Sequence, residues 1–95
     1  MDPKTNNHEL FSEQEWRELE AELCLSPRQA QITRLLMRGC SDKQIARELA
    51  ISVPTVRTHL HRLFLKLDLQ DRYELALRVF MTFRESSEAL AYHHA

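Results

Sequence analysis

One glycine, three prolines and two cysteines in 95 residues leave the chain few means of turning sharply or of being cross-linked. With so few helix breakers, and no strand-like alternation of useful length, an all-α fold is expected. No apolar run nears the roughly 20 residues a bilayer demands, and MDPKTNNHEL has no basic start followed by an apolar segment. Neither a membrane contact nor a secretory signal is indicated, and a cytoplasmic address is expected. Cys24 and Cys40 stand at no metal-like spacing, so free thiols, buried or half-buried, are expected. His59 and His61, two apart on a helix, point about 200° from each other and cannot share an ion, while His93 and His94 fall in a stretch expected to be a loose tail. No metal and no cofactor are therefore expected. No nucleophile has a base at a sensible spacing, there is no glycine-rich phosphate loop, and one small domain offers little room for a cleft. An enzyme is not indicated.

Net charge is also nearly lacking, at −1, but that sum hides a segregation. Residues 1–24 carry seven acids (Asp2, Glu9, Glu13, Glu15, Glu18, Glu20, Glu22) against Lys4 and Arg17, a net of −5. Residues 25–72 reverse the sign: nine bases (Arg28, Arg34, Arg38, Lys43, Arg47, Arg57, Arg62, Lys66, Arg72) oppose Asp42, Glu48, Asp68 and Asp71, a net of +5. A basic block beside an acidic one is the footprint of a local polyanion site.

Capping signals divide the chain. Residues 1–10 are polar, without an apolar period, and are expected to be unstructured. Ser12 with Glu15 opens a helix of about twelve residues with a narrow stripe of Trp16, Leu19 and Leu23 and otherwise acidic faces. Ser26, Pro27 and Gln29 open the next, with Ile32, Leu35 and Leu36 inward, and Gly39 stands where a helix end favours a left-handed residue. Ser41 with Gln44 caps a short helix whose inward residues are Ile45, Ala46 and Leu49. Ala50 and Ile51 leave room only for a tight turn before Ser52 and Pro54 start a longer helix. Short helix, tight turn and longer helix make a helix-turn-helix unit. In the longer helix Val56, Leu60, Leu63 and Leu67 face a core, while Arg57, Thr58, His61 and Arg62 fall on the other side, offering donors suited to guanine edges and phosphates. Asp71 with Glu74 opens a last helix, expected over 72–84. Leu75, Ala76, Val79 and Phe83 can face the core, and Tyr73, Leu77 and Met81, with Phe80 nearby, point elsewhere. That second stripe suggests a symmetric partner, the alternative being a wide helix face folded under the acidic N-terminal helix.

The stretch from Leu25 to Ala76 resembles the LuxR-type (GerE-like) DNA-binding domain of bacterial transcription regulators. Leu25, Ser26, Arg28, Gly39, Ser41, Lys43, Ile45 and Ala46 match the first half of the family's pattern. Ile51, Ser52, Thr55, Val56, Arg57, His59, Leu60, Lys66, Leu67 and Arg72 match the second. Gln29 and Gln31 depart from the usual Glu, Asp68 from the usual Gly after the Lys-Leu pair, and Leu65 is apolar where the family is often polar. Asp68 is expected to hold the left-handed turn with some strain.

The resemblance implies a four-helix domain over 25–84, preceded by 1–24 with the acidic helix and followed by a flexible tail over 85–95. It implies a recognition helix in the major groove of double-stranded DNA, and a homodimer through the last helix. In that geometry Arg57, Thr58 and His61 face base edges, and Lys43, Arg47, Thr55, Arg62 and Lys66 face phosphates. Tyr73, Leu77 and Met81 line the dimer interface, and His59 braces the turn or a phosphate. RNA polymerase is a further candidate partner, and the cytoplasmic address becomes a nucleoid-associated one. Two other readings share these features: a protein-interaction adaptor working through its acidic and last helices, and the promoter-reading end of a sigma factor. The central basic block favours DNA over the adaptor. Such domains usually follow a receiver or ligand-binding domain, so the chain reads either as a fragment or as a stand-alone regulator. In the second case the acidic segment is expected to compete with DNA for the basic face.

Overall fold

The computed structural model describes residues 9–94, with side chains described over 9–87. Each helix begins where a small polar side chain takes over a free backbone amide. Ser12, Ser26 and Ser41 form reciprocal capping boxes with Glu15, Gln29 and Gln44, and open α1 (Glu13–Glu22), α2 (Pro27–Met37) and α3 (Asp42–Leu49). The Thr55 amide donates to Ser52 Oγ at 3.2 Å at the start of α4 (Val53–Leu67). Asp71 Oδ1 accepts from the Tyr73 and Glu74 amides, each at 3.0 Å, and opens α5 (Arg72–His94). The return bond of Glu74 closes on the Gln70 amide, at 2.8 Å, instead of on Asp71. Among the described residues there are five helices and no strand, the all-α helix-turn-helix fold expected, with one additional N-terminal helix.

The first four helices end alike. Gly39 is left-handed as expected, with φ +90°, and the same conformation is held without glycine by Cys24 (φ 54°), Ala50 (φ 56°) and Asp68 (φ 57°). The amide of each following residue reaches back five positions: Leu25 to Glu20 at 2.9 Å, Cys40 to Leu35 at 3.1 Å, Ile51 to Ala46 at 3.0 Å, Leu69 to Phe64 at 2.8 Å. These Schellman bonds satisfy carbonyls that a helix end otherwise leaves open. At Ala50 the motif makes the turn between α3 and α4 tight.

One core joins all five helices. Trp16, Leu19 and Leu23 are buried with Ile32, Leu35 and Leu36 of α2, Ile45 and Ala46 of α3, Val56, Leu60 and Leu63 of α4, and Leu75 and Val79 of α5. Leu49, Leu67, Ala76 and Phe83, also expected inward, are half-buried against it. Phe11, unassigned from the sequence, is buried too. Its ring stands edge-on to Trp16 at 5.2 Å and lies 4.7 Å from Phe83 and 5.6 Å from Phe80. The continuous core therefore crosses the boundary expected between residues 24 and 25.

Three other expectations change. Glu9 and Leu10, expected to be unstructured, lead into that core, and Glu9 is held by side chains of α1 and α2; residues 1–8 lie outside the described residues. The last helix, expected to stop near Arg84, runs to His94, so 85–94 is helical where a tail was expected. Both cysteines are free thiols, but Cys24 is exposed, because the left-handed turn it occupies lies outside the packed stripe; Cys40 is half-buried. Thr33 is fully buried, and its hydroxyl has no hydrogen-bond partner among the described residues.

Candidate nucleic-acid interface

α4 contains no carboxylate, and its inward stripe of Val56, Leu60 and Leu63 is packed against the core. Fixing that stripe decides what the opposite face presents: Arg57, Thr58, His61 and Arg62 are all exposed there. Thr58 donates its only hydroxyl proton to the Pro54 carbonyl at 3.0 Å, so it offers a ligand its methyl group and an acceptor lone pair. Thr55 is half-buried, with its hydroxyl 2.8 Å from that of Ser52. His59 is half-buried beside the exposed row.

On α3, Lys43 and Arg47 are one turn apart and exposed. Among the described residues neither has an ion-pair partner, and Arg62 has none. Arg57 is 68% exposed but not loose, since its Nε–H donates to Asp42 Oδ2 at 3.2 Å. Asp42 Oδ1 accepts from Arg72 Nη1 at 2.9 Å, and Arg72 Nη2 donates to the Cys40 carbonyl at 2.8 Å. A cleft beside this cluster, between α4 and the start of α5, is lined by Leu60, His61, Phe64 and Tyr73.

Lys66 was expected to face phosphates, and in the structure it is exposed but already has partners. Its ammonium donates to the Cys24 carbonyl at the α1–α2 turn and lies 3.3 Å from Gln29 Oε1. The exposed Cys24 turn lies beside the end of α4, and its carbonyl gives the exposed ammonium a partner there. Asp42 and Arg72 went unassigned for the opposite reason: residues 30 apart in sequence meet only in the fold.

The acidic segment is also engaged elsewhere. Glu9 accepts from Trp16 Nε1 at 2.7 Å, from Arg34 Nε at 3.2 Å and from Arg38 Nε at 2.6 Å, and Glu13 pairs with Arg34. Burial by itself would raise the Glu9 carboxyl, but the bonds from Trp16, Arg38 and Arg34 outweigh it and hold the group below its ordinary value. The Arg34 hydrogen bond likewise lowers Glu13, and Glu13 in return raises Arg34. Glu9 and Glu13 belong to the segment expected to compete for the basic face. Their described ion pairs go to α2, and none reaches Lys43, Arg47, Arg57 or Arg62.

Tyr73, Leu77 and Met81 form an outward row on α5, 79%, 59% and 50% exposed, with Phe80 beside them at 44%. Among the described residues no group of three or more His, Cys, Asp or Glu side chains could hold a metal ion. No described helix is long and apolar enough to cross a membrane.

A short helix, a tight turn and a longer helix with an outward cationic face define a helix-turn-helix protein. Residues 23–79 match the family model of the bacterial regulatory proteins of the luxR family, and the chain belongs to that family. It is similar to the monoamine regulon transcriptional regulator of Klebsiella aerogenes, 40% identical over 57 residues, covering 60% of this chain and 25% of that protein. It is also similar to the putative HTH-type transcriptional regulator YhjB of Escherichia coli, 42% identical over 53 residues, 56% of this chain and 26% of that protein. The nitrate/nitrite response regulator protein NarL of Escherichia coli is 38% identical over 55 residues, 58% of this chain and 26% of that protein. The chain thus spans about a quarter of the length of these relatives. No solved structure matches it.

Proposed function

We propose that the chain binds double-stranded DNA sequence-specifically as a transcription regulator in the cytoplasm, with α4 in the major groove and two protomers joined along α5. The observation that carries this reading is the outward face of α4, which has donors and no carboxylate and is fixed in direction by a buried stripe. Arg57 would hold guanine O6 and N7, Thr58 would meet a thymine methyl, and His61 would bond a purine N7. Lys43, Arg47 and Arg62 would neutralise phosphates, with Thr55 adding a hydroxyl contact; Lys66 leaves that set because of its bond to the Cys24 carbonyl. The exposed row of Tyr73, Leu77 and Met81 supports the dimer, since an apolar patch on so small a domain calls for cover. The names of the similar proteins, all regulators, support the regulatory role.

A salt titration on random duplexes, followed by selection from a random pool, tests the proposal. Three phosphate-neutralising cations per protomer give a log–log salt slope of about −5 for a dimer and about −3 for a monomer. Selection is expected to return a two-fold symmetric site, and Leu77→Glu to reduce the slope to the monomer value. Absence of binding at low salt, or binding without any selected sequence, overturns the proposal.

A further inference from the structure

We infer that Asp42 is a positioning residue for sequence reading, holding the Arg57 guanidinium so that its two terminal amino groups face the groove. The inference rests on the DNA-reading role proposed for Arg57. A solvent-facing arginine samples many rotamers, and a base contact must freeze them. Here the Nε–H is already committed to Asp42 Oδ2 at 3.2 Å. That closes the side-on pairing that would use Nε and leaves the end-on fork of Nη1 and Nη2, whose spacing suits guanine O6 and N7. Asp42 is itself clamped. It is the first residue of α3, where a carboxylate is favoured by the helix N-terminus, and its other oxygen accepts from Arg72, which is tied to the Cys40 carbonyl. Its side chain is only 22% exposed, and two guanidinium groups offset its charge, so an acid sits beside the reading face without presenting a bare anion to phosphates. An ion pair this exposed on the arginine side contributes little to stability, so its effect belongs in discrimination.

The test uses the full chain and the duplex that the wild type selects. The Arg57-dependent base pair is the one at which Arg57→Ala loses preference. Asp42→Ala is expected to lower discrimination at that same pair by about three- to tenfold, the cost of freezing one long side chain on binding. Affinity for random duplexes is expected to hold or rise, because an anion has left the face. In an Arg57→Ala background, Asp42→Ala is expected to cause no further loss of discrimination. Equal losses on selected and random duplexes, or a loss that persists without Arg57, overturn the inference. Should circular dichroism show Asp42→Ala losing helicity, Asp42→Asn carries the same test, since one amide oxygen can serve one guanidinium and not two. A wild type that selects no sequence overturns the DNA-reading proposal and this inference with it, whereas a selective wild type with an indifferent Asp42 overturns this inference alone.

Discussion

Trp16 offers the most direct test of whether α1 belongs to the domain or merely precedes it. The side chain is 1% exposed, its ring meets Phe11 edge-on at 5.2 Å, its indole N–H donates to Glu9 at 2.7 Å, and the Arg34 guanidinium lies 5.6 Å from the ring centre. Truncation to alanine empties the middle of the α1 packing, for which a cost of about 3 to 5 kcal/mol is expected. For a domain of this size each kcal/mol shifts the midpoint by roughly 4 to 8 °C, so Trp16→Ala should lower Tm by about 12 to 40 °C. Trp16→Phe keeps a ring against Phe11 but loses the indole donor and part of the buried ring volume, so a smaller cost than that of alanine is expected. The assay is thermal melting followed by far-ultraviolet circular dichroism. Because Trp16 is the only tryptophan, its fluorescence in the wild type reports α1 separately from total helix. Coincident transitions by the two probes are expected of one cooperative unit. A drop of less than about 5 °C for Trp16→Ala, or fluorescence that changes well before the helices melt, would show that residues 25–84 stand without α1 and refute the shared core.

Four further outcomes follow from individual groups. The Glu9 carboxyl is held below its ordinary value of 4.5, so its stabilisation is complete above that value and is lost as pH falls through the lower folded value; Glu9→Gln should lower Tm at pH 7 and converge with wild type once pH lies below that folded value. Thr33→Val removes a buried hydroxyl that has no partner among the described residues and should stabilise by up to about 1 kcal/mol in urea unfolding, whereas a clear loss would reveal a partner. Ala50→Gly relieves a left-handed alanine at φ 56° and should gain about 0.5 to 1 kcal/mol after the added chain entropy of glycine is subtracted, read as a rise in urea midpoint. Ala46→Leu overfills the α3–α4 contact, where Ala46 is 5% exposed, and should cost about 1 to 3 kcal/mol in the same experiment.

What was legible in the sequence is local or periodic. A serine and the residue three places on are enough to announce a capping box, and Val56, Leu60 and Leu63 announce a buried face because helical spacing alone brings them together. Tyr73, Leu77 and Met81 were legible as outward-pointing for the same reason: a second stripe cannot face the same core. Helix ends were legible only where their chemistry was distinctive. Gly39 and Asp68 signalled left-handed turns, while Cys24 and Ala50, in the same conformation, did not, because nothing in an alanine or a cysteine marks it.

Charge was the signal that needed the fold most. The bases of residues 25–72 look alike in the sequence, yet Arg34 and Arg38 are taken up by Glu9, Arg72 by Asp42 and the Cys40 carbonyl, and Lys66 by the Cys24 carbonyl. Each of those pairings joins residues more than twenty positions apart, beyond the reach of spacing or composition. The cations that remain exposed without such anchors are Lys43 and Arg47 on α3 and Arg62 on α4, with Arg57 held at one nitrogen and open at the other two. The segregation of sign along the chain therefore becomes a division in space. Acids of the N-terminal segment neutralise the α2 side of the core, and the face made by the helix-turn-helix keeps its positive charge. The same ion pairs that tie α1 to the domain thus spare the basic face, so that cutting away residues 1–24 should cost the fold its Trp16 packing before it offers DNA any new cation on α3 or α4.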